Sequence, residues 1–461
     1  MKLGVIAIAR PTFDVPFAQA TANAAWETLS GSSHEIVGSP EVAMTIDQVA
    51  DRRDQIHGVD AVVILQASFA DSSLVVHATD VDLPIALWAF PEDRTGGRLR
   101  LNSFCGINLA GYTLTNLGRQ YSWVYTQADD ATVPSRIASH LADPPMSDGS
   151  VFGSSPIDKA AGVAANGVVE RLRATTIGRV GERPDGFEPC GYEADALFAM
   201  FGVTVDEVPL PELFGRADEA GETDVAEIRG IAQDVLSGID DVDQVALDKS
   251  LRLNVGLRSL ISERGWAGVA TRCWPETFTE FGGAACAPMA LLNIDGTPGV
   301  CEADVYGNIT ALILQWLGDA EPFVADLVHL DHDSNTGVLW HCGLAPFTMA
   351  DPDAVARATI HSNRSKPLLS EFPLKPGRVS IARLSTSKGQ HRLVVGGGEM
   401  VKAPLAFSGT AGVVRFDRSV TDVLDTVLGE GLEHHFGIVY GDVRDELRAF
   451  ADIVDIAVVE L

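Results

Sequence analysis

Hydrophobic and polar positions alternate in three different ways along the chain. Residues 1 to about 125 carry short runs of Val, Ile and Leu separated by amphipathic stretches, as in KLGVIAIA followed by FAQATANAAWETL. Near-continuous apolar runs are typical of parallel strands that helices cover on both faces. This pattern predicts a parallel α/β domain, which we place at residues 1–150.

The same alternation returns after a polar stretch. Ser155, Pro156 and Asp158 suit the first turn of a new helix, because Ser favours the N-cap, Pro fits the first turn and an early acidic group interacts well with the helix dipole. Five apolar runs follow, namely TIGRVGE, FGVTVDEVPL, GWAGVATRC, TPGVCEAD and PFVADLVHL. They predict a second parallel α/β domain at residues 151–327.

The last part of the chain has a third pattern. After about residue 328 the apolar runs are short and alternating, Gly, Pro, Asp and Asn separate them, and helical patterns nearly vanish. Such spacing is typical of antiparallel strands. It predicts a β-rich domain, barrel-like or sandwich-like, at residues 328–461, closed by a terminal helix (RDELRAFADI) and strand (DIAVVEL).

Composition narrows the class of protein. Hydrophobic residues make up 46% and charged residues 21% of the 461 residues, which is near the average of folded globular proteins. The 34 Lys and Arg against 63 Asp and Glu give a net charge of −29, and such a field repels nucleic acid and anionic lipid heads. No apolar run approaches the roughly 20 residues of a membrane span. We therefore expect neither nucleic acid nor a membrane as a partner.

The six cysteines favour a reducing compartment. They form no C-x-x-C pair and most lie in apolar runs, where a free thiol packs as a small hydrophobic group. The start MKLGVIAIAR lacks a small-residue cleavage site and fits a buried first strand better than a signal peptide. We expect a cytoplasmic protein.

Acidic residues follow two of the apolar runs. Glu302 comes after TPGVC, and Asp326 closes PFVAD. Ligands of open α/β sheets bind at the carboxyl ends of strands, and a carboxylate there costs free energy unless it is paired or binds a metal. These two residues are therefore candidate metal ligands. The alternative is that each one caps a helix or pairs with an arginine.

A histidine doublet, His434 and His435, precedes the apolar run FGIVYGD. A buried imidazole must satisfy both ring nitrogens, so one of the two is a candidate metal ligand, while a surface turn is the alternative. His341 in LWHCG is a further candidate, with a satisfied core histidine as its alternative.

Two carboxylates and an imidazole suit Mn²⁺ or Mg²⁺ better than a closed zinc site. The open positions of such an ion can bind two oxygens of a polyol and polarise a carbonyl. The sequence has no G-x-G-x-x-G after a strand, no G-x-x-x-x-G-K-[ST] and no G-x-S-x-G, which excludes obvious dinucleotide, nucleotide and serine-hydrolase sites. The residues therefore favour metal chemistry on a polyol.

Several segments resemble the L-fucose isomerase and L-arabinose isomerase superfamily, in particular its shorter fucose-isomerase-like branch. They are CEADVYGN, PFVADLVHLD, GLEHHFGIVYGD and ALWAFPEDRTGGRLRLNSFCGINLAG. The resemblance covers nearly the whole chain. It implies two Rossmann-like α/β domains and a C-terminal β-rich domain, with the site between the second and third domains. It also implies an enzyme, an aldose–ketose isomerase that works through an ene-diol.

The resemblance implies a ligand set as well. Glu302, Asp326 and a C-terminal histidine would hold Mn²⁺, with Mg²⁺ or Co²⁺ as alternatives, and the two carboxylates would move a proton between C1 and C2 of the sugar. We prefer His435 to His434, because in fucose isomerases the ligand histidine directly precedes a small or apolar stretch. Arabinose isomerases use a second Glu where this chain has Asp326, and an additional His, a role that His341 could fill.

The family implies a homo-oligomer, a hexamer or a trimer or dimer, in which the first domain of a neighbouring subunit helps to close the site. The candidate substrate contacts are Arg98, Asn102, Ser103, Arg183, Arg272, Trp274, His341 and His434. For those in the first domain the alternative is a structural loop.

The substrate stays open at the level of the sequence. The chain is shorter than true fucose isomerases, so a neutral deoxyhexose or pentose and a 6-substituted hexose such as the sulfonated sugar sulfoquinovose both fit. An anionic group would need an arginine cluster, for which Arg94, Arg98, Arg100, Arg183 and Arg272 are candidates. A non-catalytic sugar-binding or regulatory protein, and a metal-dependent epimerase or lyase, are the alternative functions.

Overall fold

The structure is a computed structural model that describes residues 1–145 and 158–461. The predicted helix start at Ser155 and Pro156 therefore lies outside the described residues. The helix itself begins at Lys159, and the Asp158 carboxylate caps it by accepting from the Ala160 N–H at 3.2 Å.

Strands and helices alternate through most of the described chain. The strands are β1 (Lys2–Ile8), β2 (Glu35–Ala43), β3 (Ala61–Gln66), β4 (Ile85–Ala89), β5 (Tyr121–Tyr125), β6 (Thr176–Val180), β7 (Thr204–Val208), β8 (Gly268–Thr271), β9 (Gly299–Cys301), β10 (Phe323–Asp331), β11 (Thr336–His341), β12 (Arg357–Thr359), β13 (Leu369–Pro373), β14 (Gly377–Ser385), β15 (Arg392–Val401), β16 (Thr410–Phe416), β17 (His435–Tyr440) and β18 (Ala457–Glu460).

The helices are α1 (Val15–Ser30), α2 (Ile46–Arg53), α3 (Ser72–Ala78), α4 (Ser103–Asn116), α5 (Val133–Ala142), α6 (Lys159–Leu172), α7 (Ala194–Phe201), α8 (Leu210–Asp218), α9 (Glu222–Val235), α10 (Gln244–Arg264), α11 (Cys286–Leu292), α12 (Val305–Gly318), α13 (Val420–Gly429) and α14 (Arg444–Ile453).

The first part of the chain forms a parallel sheet with the strand order β2-β1-β3-β4-β5. The chain runs from β1 to β2 on one side and then crosses to β3 on the other side of β1. In sheets of this order the ligand crevice lies outside the carboxyl ends of β1 and β3, where the connections diverge. Residues that directly follow these two strands are therefore placed to contact a ligand.

The second parallel sheet repeats this arrangement on a smaller scale. Its order is β7-β6-β8-β9, so the connections diverge between β6 and β8. The segments that follow β8 and β9 leave the sheet at its carboxyl edge, and they carry Trp274 and Glu302.

The last third of the chain forms an antiparallel barrel. Six strands of the described residues close into a ring in the order β16-β11-β10-β17-β14-β15, and β15 pairs with β16 to complete it. Closure removes free strand edges, which would otherwise invite pairing with other chains. The predicted fold class, two parallel α/β units followed by an antiparallel barrel-like unit, is confirmed.

One apolar run has a different place from the one expected. PFVADLVHL was assigned to the second parallel sheet, but it forms most of β10, which pairs antiparallel with β11 and β17 in the barrel. The run is long enough to continue past Asp326 to Asp331, so Asp326 lies within a strand and does not end one. The division of the chain near residues 150 and 327 stays a prediction.

The three units share one interior. A single cluster of buried apolar side chains extends from Ile64 in the first sheet through Val269 in the second to Ile381 in the barrel. Residues from all three units can therefore be held at fixed distances from one another. None of the helices in the two described ranges is both long and apolar enough to cross a membrane.

Candidate active site

The backbone turns sharply where β9 ends. Glu302 and Ala303 have φ values of 62° and 54°, in the left-handed region that costs a residue with a side chain about 1–2 kcal/mol. The turn is held by the Ala303 N–H, which donates to the Thr271 carbonyl at 3.1 Å. As a result Asp304, not Glu302, caps α12, and the Glu302 carboxylate is directed into a cavity.

Strand pairing brings Asp326 next to His435. The two residues lie directly opposite each other on β10 and β17, so their side chains emerge on the same face of the barrel wall. His435 Nε2 lies 3.4 Å from Asp326 Oδ1 and 3.7 Å from Glu302 Oε2. The two carboxylates and the imidazole thus converge, although they are far apart in sequence.

The His435 ring is held from behind. Its Nδ1 lies 2.9 Å from Asp304 Oδ2, and Arg383 donates to both oxygens of the same carboxylate, at 2.5 and 3.1 Å. Arg383 and Asp304 are each 1% exposed. Because Asp304 accepts, the proton of the neutral imidazole belongs on Nδ1, and the Nε2 lone pair faces Glu302 and Asp326. Burial acts to raise the Asp304 pKa, but Arg383 and His435 outweigh it and hold the pKa well below its usual range.

His434 has a different environment. Its Nε2 lies 3.0 Å from Glu302 Oε2 and 4.0 Å from Asp326 Oδ1, while its Nδ1 has no hydrogen-bond partner among residues 1–145 and 158–461. Burial acts to lower the His434 pKa, but the Glu302 carboxylate outweighs it and raises the pKa. Without a carboxylate behind the ring, His434 lacks the support that fixes His435.

The surroundings shift the pKa values of the two carboxylates in opposite directions. Burial acts to raise the Glu302 pKa, but the hydrogen bond with His434 and the nearby imidazoles outweigh it and lower the pKa to about 2. Burial raises the pKa of Asp326, and the imidazoles reverse this only in part. The Trp274 Nε1–H donates to Glu302 Oε1 at 3.1 Å, so Oε2 is the oxygen that faces Asp326 and His435.

Unpartnered polar atoms test whether these residues fit a metal ion. Asp326 Oδ1 and His435 Nε2 are buried and have no hydrogen-bond partner among the described residues, whereas buried polar atoms almost always have one. A divalent cation held by Asp326, His435 and Glu302 would give both unpartnered atoms a partner. Glu302, His434 and His435 also belong, together with Cys190 and without Asp326, to a group whose potential ligand atoms lie within 4.8 Å of one another. The donor set of oxygens and an imidazole nitrogen suits Mn²⁺ or Mg²⁺.

Glu302, Asp326 and His434 line a cavity of about 80 Å³ that opens to solvent. Of the candidate substrate contacts, Asn102, Trp274, His341 and His434 line it. Asn102 is 5% exposed, and its Oδ1 has no partner among the described residues. His341 Nδ1 accepts the Cys342 N–H at 2.9 Å, which leaves Nε2–H as a donor that is better suited to a substrate oxygen than to a metal.

The other four candidates do not line this cavity. Ser103 Oγ donates to the Gln66 carbonyl at 2.5 Å, and Arg272 binds both oxygens of Glu276 at 2.7 Å each. Arg183 lies outside the cavity, 3.8 Å from Glu188. Arg98 donates to the Asn363 side-chain oxygen at 2.5 Å and to the Thr12 carbonyl at 3.0 Å.

Four residues of the site were missed from sequence. Asp304 and Arg383 support His435, and Arg10 and Arg364 line the cavity. Arg10 had a usable signal, because it directly follows the first predicted strand, KLGVIAIA, where parallel sheets bind ligands. Arg364 lies in an irregular loop between β12 and β13, and no pattern in the sequence indicates its role.

Comparison with known proteins assigns the family. Residues 4–143 match the family model described as "Fucose/sulfoquinovose isomerase, N-terminal domain", and residues 371–461 match "L-fucose isomerase, C-terminal domain". The chain belongs to the L-fucose isomerase-like family. The resemblance inferred from the sequence, and the expectation of an isomerase, are confirmed.

Curated relatives in the L-fucose isomerase-like family match along nearly the full length. A sulfoquinovose isomerase from Alkalicoccus urumqiensis is 29% identical over 98% of this chain and 98% of its own length. Sulfoquinovose isomerases from Priestia aryabhattai and Clostridium sp. (strain MSTE9) are each 28% identical, over 96% and 98% of this chain and 95% and 97% of their own lengths.

Proposed function

We propose that the chain is a metal-dependent aldose–ketose isomerase that converts the 6-sulfonated hexose sulfoquinovose into its ketose. The names and full-length coverage of the relatives support the substrate. The observation that carries the mechanism is the convergence of Glu302, Asp326 and His435, two of which present unpartnered buried atoms to the others.

Glu302, Asp326 and His435 are the proposed ligands of the metal ion, with Mn²⁺ as first choice and Mg²⁺ or Co²⁺ as alternatives. A bound divalent ion supplies Lewis acidity, which polarises the sugar carbonyl and stabilises negative charge on its oxygen. The preference for His435 over His434 rests on the carboxylate of Asp304, which orients the ring through Nδ1.

The proton transfers are assigned to the two carboxylates. Glu302 Oε2 takes the proton from C2 of the open-chain aldose and delivers it to C1 of the ene-diol, while Asp326 passes the hydroxyl proton from O2 to O1. The carbonyl thereby moves from C1 to C2, and no atom is gained or lost. Trp274 fixes the other Glu302 oxygen, so the base stays within reach of both carbons.

The cavity walls protect this chemistry. Phe187, Trp274 and Trp340 line the same cavity as the two carboxylates. Apolar walls exclude water from the ene-diol, which favours return of the proton to the sugar over exchange with solvent.

The assembly and location are also proposals. We propose a cytoplasmic homo-oligomer, with the hexamer of the family as first choice. Asn102, which directly precedes α4 in the first unit of the same chain, already lines the cavity. A neighbouring subunit would therefore add its residues where the cavity opens to solvent.

The test is a metal-dependent conversion. We expect purified protein to convert sulfoquinovose into a ketose that NMR identifies, to lose turnover after chelation and to regain it with Mn²⁺. Glucose and 6-deoxyglucose, which lack the sulfonate, and L-fucose and L-arabinose serve as comparison substrates. Binding without turnover that is insensitive to chelator would identify a sugar-binding protein, and an aldose product would identify an epimerase. Either result would contradict the proposal.

A further inference from the structure

Two arginine side chains of the cavity lining, Arg10 and Arg364, lie on aromatic rings; we call this pair the arginine end of the site, and Glu302, Asp326 and His435 the carboxylate end. Arg10 Cζ lies 4.6 Å from the centroid of the Trp274 ring, and Arg364 Cζ lies 4.8 Å from the same centroid. Arg10 also lies over Phe69 at 5.6 Å, and Arg364 over Phe278 at 5.5 Å. Both side chains are half-buried and line the cavity.

Neither guanidinium has a polar partner in the part of the chain that the structure describes. Within residues 1–145 and 158–461, no ion pair and no side-chain hydrogen bond is recorded for Arg10 or Arg364, although each carries five N–H donors. Other arginines are paired, as the half-buried Arg272 is with Glu276 and the fully buried Arg383 is with Asp304. Two unpaired cations near each other in a cavity are unfavourable, because burial removes water and like charges repel.

The electrostatics of Arg10 agree with this placement. Burial lowers the Arg10 pKa, and although the Asp71 and Glu302 carboxylates raise it, they do not outweigh burial together with the positive charge of Arg364. An anion between the two guanidiniums would remove both sources of instability. The Arg10 and Arg364 guanidiniums therefore offer N–H donors and positive charge to an anionic ligand.

We propose that Arg10 and Arg364 form the binding site for the sulfonate group of the substrate. This inference rests on the proposed function and names the residues that give it specificity. A sulfonate has three oxygens in a tetrahedral arrangement, and two guanidinium forks can donate to them from two sides with charge-assisted hydrogen bonds. The aromatic rings hold the guanidiniums in place without using their N–H groups.

The position in the fold agrees with this role. Arg10 follows β1 and Phe69 follows β3, the two strands between which the connections of the first sheet diverge. Trp274 joins this end of the cavity to the other, since its ring contacts both arginines and its N–H donates to Glu302. One indole therefore separates the proposed sulfonate site from the proposed base, and a six-carbon chain lies along it with C6 at the arginines and C1 and C2 at the carboxylates.

Arg98 positions both arginine-bearing loops. Its guanidinium donates to the carbonyl of Thr12, two residues after Arg10, and to the side chain of Asn363, directly before Arg364. We assign to Arg98 a positioning role in place of the direct sugar contact expected from sequence. Arg98→Gln should raise KM for sulfoquinovose less than either cavity substitution does, with kcat unchanged. A lower kcat with unchanged KM would contradict this role.

The test compares two sugars that differ only at C6. In Arg10→Gln and Arg364→Gln we expect KM for sulfoquinovose to rise about 10- to 100-fold, the range for lost hydrogen bonds to a charged group. We expect kcat/KM for 6-deoxyglucose to change less than about twofold, because that sugar never used the arginines. Arg10→Lys and Arg364→Lys should recover part of the lost affinity for sulfoquinovose, since lysine keeps the positive charge but lacks the two-pronged guanidinium.

The matched control is Arg171→Gln. Arg171 also stacks on a tryptophan, Trp316, at 4.2 Å, but on the exposed side of α6 and away from the cavity. Its KM values should equal those of the wild type, and thermal melts of all variants should show that they fold. Equal losses on both sugars, or no loss on either, would overturn the inference.

A binding measurement separates this inference from the proposed function. Calorimetric titration with sulfoquinovose should show binding to the wild type and at least tenfold weaker binding to Arg10→Gln. If the wild type binds in this way but turns over no sugar, the function fails and the sulfonate site stands. If sulfoquinovose turns over equally in wild type and variants, or if the wild type does not bind it, the sulfonate site is overturned. Tighter arginine-dependent binding of glucose 6-phosphate would also overturn it, since it would identify a phosphate site.

Discussion

The two ends of the cavity hold their charges in opposite ways. At the carboxylate end, His435 is held by Asp304, Asp304 by Arg383, and Glu302 by Trp274 and His434. At the arginine end, Arg10 and Arg364 are held by aromatic rings, and neither guanidinium makes a hydrogen bond or an ion pair within the described ranges.

This difference separates two tasks. Groups that transfer protons or hold a metal must stay within a fraction of an ångström of one geometry, which requires supporting hydrogen bonds. Groups that recognise an anion must keep their donors available, so any internal partner would compete with the ligand. The side chains of the carboxylate end therefore form hydrogen bonds within the protein, whereas the N–H donors of the arginine end stay available to the substrate.

The largest expected effect is at the carboxylate end. Glu302→Gln keeps an oxygen that can accept from Trp274 but removes the proposed base, so kcat for sulfoquinovose should fall about 10³-fold at saturating Mn²⁺. Glu207→Gln is the control, because Glu207 pairs with Arg179 on an exposed edge. A Glu302→Gln protein with wild-type kcat would remove the basis for distinguishing the two ends.

The second prediction compares two arginines by their effect on stability. Arg383→Met leaves the buried Asp304 carboxylate unpaired and should lower the free energy of unfolding by about 3–5 kcal/mol. Arg10→Met removes no ion pair and should change it by less than about 1 kcal/mol. Urea denaturation of both variants checks this. An equal loss of unfolding free energy in the two would show that Arg10 contributes as much to stability as Arg383 does.

A smaller effect is expected from Asp304→Asn. Asn still caps α12, but it orients His435 less firmly, so Mn²⁺ affinity should fall about 10- to 100-fold while kcat at saturating metal stays near that of the wild type. Metal titration of turnover checks this, with Asp417→Asn as the control, since Asp417 pairs with Arg378 outside the cavity. An unchanged metal affinity would show that Asp304 does not support the metal site.

The smallest effect is a loss of stability in acid that originates outside the cavity. Burial lowers the pKa of His329 to about 4, and the Arg94 guanidinium, which donates to its Nδ1 at 3.1 Å, adds to this, while Asp331 opposes it. Between that pKa and the ordinary value near 6.5 the unfolded chain binds the proton and the folded chain does not. Stability therefore falls by about 1.5 kcal/mol as the pH drops from 6.5 to 5.

Denaturation at these two pH values checks the effect of His329. His329→Gln keeps an acceptor for Arg94 and should flatten this part of the pH dependence. If the effect of His329 on stability is not subtracted, a loss of activity in acid could be mistaken for titration of the carboxylates. An unchanged slope in His329→Gln would show that another group is responsible.

Sequence patterns predicted the fold class because burial on one or two faces dictates which positions are apolar. They also indicated Glu302, Asp326 and the histidine doublet, since a polar group next to an apolar run costs free energy unless it has a partner. They could not place PFVADLVHL, because a continuous apolar run fits a parallel sheet and a closed barrel equally well.

Local patterns were least informative about the arginines, and the three named from sequence as substrate contacts, Arg98, Arg183 and Arg272, do not line the cavity. Arg272 was a candidate for the anion site, but Glu276 lies four residues further along the chain and pairs with it; that spacing was visible in the sequence. The partners of Arg98 are far away in the chain, and so are the rings that hold Arg10 and Arg364. Which long side chain stays unpaired depends on tertiary contacts, and these were beyond the reach of local patterns.

The shared contacts of Trp274 make this residue an optical reporter of the cavity. Indole emission responds to charge near the ring, and this ring lies beside two cations, the edge of Phe187 at 5.0 Å and a carboxylate that accepts from its N–H. An anion that neutralises the guanidiniums therefore alters its fluorescence before any bond is broken. Subtracting the signal of a Trp274→Phe protein isolates that change from the other six tryptophans, so substrate capture can be timed separately from turnover.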